Sequence, residues 1–230
     1  MDDRDDSADD ALVREAQSQE VTHERLVELA ANQSSDVRAA VASNVNAATA
    51  LLTRLSKDDD KRVRAAVAAH VVTPAEVIEE LAFDDDWSVR ESVAGNPAAG
   101  EFCLGELTRD DDVRVRIRAG LSAGLSARDL TRLAEDDDVR VRSSVAANPG
   151  VPSDVLSQLS EDSNWQVRAA VGANAASAMV LLRTLATDDD WRVRAAVAAN
   201  HATPSDVRDS LALDTDDGVR AAVPTTPPPD

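Results

Sequence analysis

A two-residue motif, Val-Arg, recurs along this chain at a strict interval of 26 residues. The eight valines of the motif are Val37, Val63, Val89, Val115, Val141, Val167, Val193 and Val219. Eight copies at identical spacing define an array in which each repeat is one structural unit stacked on its neighbours. A residue type that occurs once in every repeat is therefore architectural first, and function is to be sought in the positions that vary.

Three rows of equivalent positions are apolar in almost every repeat. They lie eleven and eight residues before the motif valine and four residues after it, as Ile78, Leu81 and Val93 do in the third repeat. Spacings of three and four place such residues on one face of a short helix, and no segment alternates with the period of two that a strand requires. The sequence predicts an all-α solenoid of eight 26-residue, two-helix repeats without a β-sheet.

Polar residues mark the ends of both helices. Segments such as Thr73-Pro74-Ala75-Glu76 predict a capped first helix, with Thr as the cap and Pro in the first turn. An aspartate triplet, such as residues 84–86, precedes the second helix, and its last member is expected to cap the free N–H groups. A row of Asn, with His70 in one repeat, marks the end of the second helix, because Asn tolerates the left-handed conformation and bonds nearby backbone. The row comprises Asn44, His70, Asn96, Asn148, Asn174 and Asn200.

One repeat cannot stand by itself. About five buried apolar side chains contribute roughly 7 to 15 kcal/mol, whereas ordering the backbone of 26 residues costs about 1 to 2 kcal/mol per residue. Stacking on neighbours must supply the difference. Small residues three positions after the motif valine, such as Ala40, Ala66 and Ser92, are expected to let adjacent helices approach closely.

The consensus Thr-Pro-x-x-Val-Leu-x-x-Leu-Ala-x-Asp-Asp-Asp-x-x-Val-Arg-x-x-Val-Ala-x-Asn resembles the variant leucine-rich repeat, a bacterial relative of HEAT-type repeats. The resemblance implies a right-handed superhelix of alternating α- and 3₁₀-helices. Some members carry a cysteine-ligated iron–sulfur segment ahead of the repeats. This chain has only Cys103, so that cofactor is not carried over, and neither a cofactor nor a metal is predicted.

The repeats are expected to form one continuous domain over residues 21–226. Residues 1–8 are predicted to be an acidic disordered leader, and residues 227–230 a Pro-rich tail. Within residues 9–20, the segment Asp10-Ala11-Leu12-Val13-Arg14 reproduces the Asp-x-x-Val-Arg pattern 24 residues before Val37. This segment is expected to be a half-repeat that caps the array.

The net charge of −19 argues against nucleic acid as a partner, although much of the acidity lies in the helix-capping triplets. No apolar run is long enough to cross a membrane and no signal peptide opens the chain, so the composition favours a cytoplasmic protein with no membrane partner. His23, His70 and His201 lie far apart, and no phosphate loop or nucleophile motif occurs. An enzyme is not expected.

The invariant arginine of the motif has two interpretations. It could form a phosphate-binding ladder, or it could pair with the acid that lies four residues earlier in most repeats and so build an ion-pair ladder within and between repeats. The ion-pair ladder is favoured, because every repeat offers partners for such pairs.

The position two before the motif valine varies, and its central members are apolar. All three tryptophans occupy it, and the next position holds several arginines. On a helical wheel this row points about 140° from the core direction, so it is predicted to reach the surface. Together with Arg118 of the irregular fourth repeat, these residues form a candidate partner-binding strip: Trp87, Val113, Arg114, Val139, Arg140, Trp165, Trp191, Arg192 and Arg118.

Two other interpretations of this strip stay open. The tryptophans could pack between repeats over the capping turn, or Trp and Arg could serve a HEAT-like nucleic-acid-binding or processing module. In the fourth repeat, Ser122 replaces Asn, and Gly120 and Gly124 loosen the turn. This irregularity favours a bend, with a local binding feature as the alternative. The preferred hypothesis is a non-enzymatic scaffold that presents an extended surface to a protein or peptide of unknown identity.

Overall fold

The structure, a computed structural model, describes residues 3–224 and contains no β-strand in that range. The chain divides into two compact units, Met1–Gly124 and Leu125–Asp230. The first unit contains α1 Asp3–Gln17, α2 His23–Leu29, α3 Ser35–Ser43, α4 Thr49–Leu55, α5 Lys61–Ala69, α6 Ala75–Leu81, α7 Trp87–Ala94, α8 Glu101–Leu107 and α9 Val113–Gly120. The second contains α10 Ala127–Leu133, α11 Val139–Ala147, α12 Ser153–Leu159, α13 Trp165–Ala173, α14 Met179–Leu185, α15 Trp191–Ala199, α16 Ser205–Leu211 and α17 Asp217–Ala222.

From α2 to α17 the helices form eight pairs, one for each repeat, as the periodicity predicts. In the first unit, the second helices α3, α5, α7 and α9 pack against each other in succession. In the second unit, α11, α13, α15 and α17 do the same. The fold of each unit is an α-solenoid.

The boundary between the units lies at the irregular segment of the fourth repeat, and one continuous array stays a prediction. A left-handed backbone does not explain the glycines there, because none of the described residues has a positive φ. At Gly124 the close approach of another side chain favours glycine instead, since a Cβ atom would lie 3.1 Å from Leu104 Cδ1 and the leucine would have to shift.

The predicted core rows are buried. All eight motif valines have no exposed surface, and the leucine rows of the first helices are almost fully buried, as Leu26 and Leu29 are. A buried row of small residues that the sequence analysis missed lies five residues after the motif valine. Ala42, Ala68 and Ala198 of this row are fully buried, and a Cβ atom on Gly172 would lie 3.0 Å from Val197 Cγ2. A small residue is therefore needed there for α13 to contact α15.

The first helices differ from two expectations. The resemblance implied 3₁₀-helices, but α4 has the i→i−4 bonds of an α-helix, such as Ser56 N to Leu52 O at 2.8 Å. Thr73 was expected to cap α6, but the helix begins at Ala75, after Pro74 as the N-cap residue. The Thr73 hydroxyl instead donates to Val67 O at 2.6 Å and ties the turn to the preceding helix.

The last aspartate of each triplet caps the second helix, as predicted. In α15, Asp190 Oδ1 accepts a hydrogen bond from Arg192 N at 2.9 Å. In α13, where Asn164 replaces aspartate, Asn164 Oδ1 accepts from Gln166 N at 2.8 Å. The cap therefore requires only a side-chain oxygen and not its charge.

The Asn row connects successive repeats. Asn174 Nδ2 donates to Ala146 O at 2.7 Å and to Asn148 O at 3.1 Å, while its Oδ1 accepts from Ala176 N. Asn96 and Asn200 make the same contacts with the repeats before them. The expected left-handed conformation is wrong, because Asn174 has φ −71° and ψ 124°. The extended backbone is what directs the amide across the repeat boundary.

The motif arginine forms an ion-pair ladder, but its partner is not the acid four residues earlier. In Arg168, Nη1 donates to Asp162 O at 2.8 Å, while Nε and Nη2 hold both oxygens of Asp188 in the next repeat at 2.7 and 3.0 Å. The same pairing, 20 residues apart, joins Arg38–Asp58, Arg64–Asp84, Arg90–Asp110, Arg142–Asp162 and Arg194–Asp214. Because the guanidinium is occupied on both sides, these arginines are not available as a phosphate ladder.

The N-terminal helix α1 occupies most of the expected half-repeat and also much of the expected leader, since it begins at Asp3. It packs against α3, and Ala16 is fully buried. Asn44 Nδ2 donates to Ala16 O and Ser18 O, the same contact that other repeats make with the repeat before them. We propose that α1 caps the array. The expected tail at 227–230 lies outside the described residues.

Replacing Asn174 by Asp keeps the acceptor but removes both inter-repeat donors and buries a charge beside two carbonyls. We expect Asn174→Asp to lower the free energy of unfolding in urea by at least about 2 kcal/mol. Asn32→Asp is the matched control, because Asn32 only accepts a hydrogen bond, from Ser34 N at 2.8 Å, and most other repeats have Asp at that position. The control should change stability by less than about 0.5 kcal/mol; equal losses in both variants would contradict the assigned role.

The ladder also predicts a pH dependence of stability. Burial alone would raise the pKa of Asp188, but the hydrogen bonds from Arg168 and from the backbone N–H of Asp190, together with the charge of Arg168, outweigh it, and the net pKa lies below the ordinary value. The stabilisation that the charged Asp188 contributes is therefore present above the pKa of about 3.9 that aspartate has in the unfolded chain. This stabilisation is lost as the pH falls through the lower pKa of Asp188 in the folded protein. Asp188→Asn should cost about 2 to 4 kcal/mol at pH 7, and the deficit relative to wild type should shrink toward pH 2.

The adjacent Asp189 provides the control, since its side chain is exposed and makes no ion pair among the described residues. Urea unfolding of Asp189→Asn should match wild type at both pH values. A deficit for Asp188→Asn that stays constant from pH 7 to pH 2 would rule out the ion pair as its cause.

Candidate partner-binding surface

Two of the three tryptophans are covered by an arginine from the next repeat. In the first unit, Trp87 begins α7, and Arg114 Cζ of α9 lies 3.2 Å from the centroid of its ring. In the second unit, Trp165 begins α13, and Arg192 Cζ of α15 lies 3.6 Å from its ring centroid. At these distances the guanidinium stacks on the ring as a cation–π contact.

An aspartate holds each stacked arginine in place. Arg114 Nε and Nη2 donate to Asp112 Oδ1 and Oδ2 at 2.9 and 2.6 Å, and Asp112 also caps α9. These bonds lower the pKa of Asp112 to about 2, and Arg192 lowers the pKa of Asp190 to about 2 in the same way. Each stack is therefore an ordered Trp–Arg–Asp group that links two repeats.

The structure thus separates the candidate strip into parts with different surroundings. Trp87 and Trp165 are half-buried and packed between repeats, while Val113 and Val139 are also half-buried. Arg140 is exposed and bonds to Asp138, which caps its own helix. The helical wheel predicts that the rings of Trp87 and Trp165 reach the surface. It does not predict the arginine that stacks on each ring, because that arginine lies 27 residues further along the chain.

Trp191 differs from the other two tryptophans. Its side chain is 44% exposed, and the position of the stacking arginine is occupied by Gly218. The ring lies against the glycine, since a Cβ atom on Gly218 would be 2.7 Å from Trp191 Cζ3. Trp191 is therefore the tryptophan of the strip that offers its ring to solvent.

Arg118 lies in a cleft of the first unit. It is exposed on α9, and its Nη2 reaches Gly95 O at 3.5 Å. The cleft has a volume of about 250 Å³ and is lined by the end of α7 and the turn after α9, including Pro97, Leu121 and Ser122. A second cleft, of about 310 Å³, is also lined by Arg118, together with Glu91 and Ser92. Among the described residues Arg118 makes no ion pair, so its charge is not neutralised within the unit.

Gly95 is a site residue that the sequence analysis missed. A Cβ atom there would lie 2.4 Å from Arg118 Nε, so only glycine lets the guanidinium rest on this helix end. The signal was present in the sequence: in the row six after the motif valine, glycine occurs only in the third repeat, next to the repeat in which Arg118 replaces Ala or Ser. Two departures from the consensus in adjacent repeats are thus one structural feature.

Groups suited to catalysis are not gathered at this surface. Cys103 is buried in α8, and burial raises the pKa of its thiol, which disfavours the nucleophilic thiolate. His70 is also buried and bonds to Asn44 O at 2.9 Å in place of an asparagine. In the part of the chain that the structure describes, no group of three or more His, Cys, Asp or Glu side chains is arranged to hold a metal ion.

None of the helices described between Asp3 and Ala222 combines the length and apolarity needed to cross a membrane. The helix pairs, the buried rows and the ladders define a repeat protein of the α-solenoid class.

Solved structures support this class and specify the family. A leucine-rich repeat variant, described as having a novel repetitive protein structural motif, is 30% identical to this chain; the match covers 77% of this chain and 70% of that one, with a TM-score of 0.57. The chain belongs to the leucine-rich repeat variant family. YibA of E. coli is 15% identical, with 92% and 94% coverage and a TM-score of 0.54, and shows the shared fold alone. No family model and no curated protein matches the chain.

Removing the stacking guanidinium should uncover Trp165. We expect Arg192→Gln to increase the quenching of tryptophan fluorescence by acrylamide and to lower stability by about 0.5 to 1 kcal/mol. Arg140→Gln is the matched control, because Arg140 makes the same bonds to its capping aspartate but stacks on no tryptophan among the described residues. If both variants quench alike, the stack does not cover Trp165 in solution.

Proposed function

We propose that this protein is a non-enzymatic scaffold that binds a protein or peptide partner, and that the Arg118 cleft is a main contact site. The observation that carries the proposal is the unneutralised guanidinium of Arg118 in a cleft of about 250 Å³. Other polar rows of the array are occupied: the motif arginines hold aspartates, and Asn side chains hold carbonyl groups of the repeat before.

The cleft suits a carboxylate carried on a polypeptide. A guanidinium binds a carboxylate through two parallel hydrogen bonds, and Arg is the residue best suited to this contact. Leu121 and Pro97 place apolar surface beside the charge, while Ser122 adds a hydroxyl to the wall. An acidic side chain or a C-terminal carboxylate could contact Arg118 while the neighbouring side chain of the peptide covers the apolar wall.

The contacts favour a protein partner over nucleic acid. The strip arginines 114, 140 and 192 are each bound to the aspartate that caps their own helix. They therefore do not form a free basic stripe, and the net charge of −19 opposes the approach of a phosphate backbone.

The proposal is tested by selecting peptides from a displayed library on the purified full-length protein and measuring their affinities by fluorescence polarisation. Arg118→Ala should weaken the binding of the selected peptides by at least about tenfold, since a charge-assisted bidentate contact contributes roughly 1.5 to 3 kcal/mol. Arg54→Ala is the matched control, because it removes the same charge from the first unit. Arg54 is also exposed, and its guanidinium also reaches only a backbone carbonyl, Val27 O at 3.4 Å.

Replacing the acidic group of the peptide by its amide should weaken binding as much as Arg118→Ala does. The two changes together should weaken binding no more than either change alone. Selection that yields no peptide, or peptides that lose equal affinity with Arg54→Ala, would refute the Arg118 cleft as the contact site.

A further inference from the structure

The aspartates that cap the second helices have a second role, because five of them also hold a cation. The pairs are Asp60–Arg62, Asp86–Lys61, Asp112–Arg114, Asp138–Arg140 and Asp190–Arg192. Asp216 caps α17 by accepting from Gly218 N at 2.8 Å, but its carboxylate forms no ion pair within residues 3–224. The position from which Arg192 pairs with Asp190 in the preceding repeat is occupied here by Gly218, so Asp216 lacks the arginine of its own helix.

Trp191 lies beside this carboxylate. A Cβ atom on Gly218 would be 2.7 Å from Trp191 Cζ3 and 3.0 Å from Asp216 Oδ1, so the ring and the carboxylate flank the same point. In the preceding repeat, Trp165 and Asp190 flank the guanidinium of Arg192, with the ring centroid 3.6 Å from Cζ and Oδ2 2.7 Å from Nη2. The last repeat thus has the aromatic ring and the acid of the Trp–Arg–Asp group without its arginine.

We propose that Trp191 and Asp216 bind an arginine side chain of a basic polypeptide partner. The incoming guanidinium would stack on the exposed ring of Trp191 and bond to Asp216, as Arg192 does with Trp165 and Asp190 inside the array. Arg suits both contacts, because its planar guanidinium stacks on indole and holds a carboxylate at the same time. The inference rests on the proposed protein-binding function and adds the chemistry of a second contact.

The surroundings leave this site to an external cation. Arg194 is held by Asp214, while Arg220 bonds to Asp214 O and to Asp217, so neither forms an ion pair with Asp216. Residues 225–230 contain no Lys or Arg and cannot supply the charge. The net charge of −19 attracts a basic segment and speeds its encounter with the surface.

The test uses the full-length ¹⁵N-labelled protein at about physiological salt and follows the indole N–H signals of its three tryptophans by NMR. The probe is the peptide acetyl-Gly-Arg-Gly-amide, and its control carries citrulline, which has the shape of arginine but no charge. We expect the Trp191 signal to shift and to saturate with the arginine peptide, with millimolar affinity. The signals of Trp87 and Trp165 should shift much less, and the citrulline peptide should leave Trp191 unchanged.

Two variants locate the binding. Gly218→Arg supplies an arginine from the position that Arg192 has in the preceding repeat, with a shift of the Trp191 ring to admit its Cβ atom, and it should abolish the peptide-induced shift of the Trp191 signal. Asp216→Asn keeps the helix cap, as Asn164 does in α13, and removes only the charge; it should weaken binding about two- to fivefold, in keeping with the loss of an exposed charge contact.

An equal response to the citrulline peptide, or undiminished binding by both variants, would overturn the proposal. Arg118→Ala should have no effect on this titration, and Asp216→Asn should have none on carboxylate peptides selected through the Arg118 cleft. Failure at one site is therefore distinguishable from failure at the other, and failure at both would refute the scaffold proposal.

Discussion

The structure depends on side chains that reach from one repeat into the next. A 26-residue repeat buries too little apolar surface to order itself, and the buried amide of Asn174 and the guanidinium of Arg168 join it to its neighbours. Both groups bond to more than one partner: Asn174 to two carbonyls of the preceding repeat, Arg168 to a carbonyl of its own turn and a carboxylate of the next repeat. Apolar stacking sets the distance between repeats, and these directional bonds set their register.

The acidity of the chain follows from the same requirement. In the triplet of residues 188–190, Asp188 receives the arginine of the preceding repeat, Asp190 caps the helix and holds Arg192, and only Asp189 is free in solvent. Two of the three carboxylates in this triplet are therefore bound within the array. The excess of negative charge that a partner meets comes from positions such as Asp189 and from aspartates whose cation is missing.

The sequence predicted correctly those features whose interacting residues lie within one repeat. It did not predict contacts between a residue of one repeat and a residue of the next. The helix pairs, the buried valines and the Asp caps follow from spacings of two to four residues. The partner of Arg168 lies 20 residues on, and the arginine over Trp165 lies 27 residues on. Local rules paired the motif arginine with an acid that lies four residues earlier in most repeats, and they did not connect Gly95 with Arg118. Such contacts depend on how repeats stack, which one repeat does not encode.

Breaks in the period therefore have a definite physical meaning. A substitution that removes one member of an inter-repeat group leaves the other members in place, because they are still held by the helices that carry them. Gly218 removes a guanidinium and leaves a ring and a carboxylate; Arg118 adds a guanidinium where Gly95 makes room, and no carboxylate among the described residues forms an ion pair with it. The first leaves an unmatched negative site and the second an unmatched positive one. A partner that carried both an arginine and a carboxylate would supply the groups that the array lacks at each.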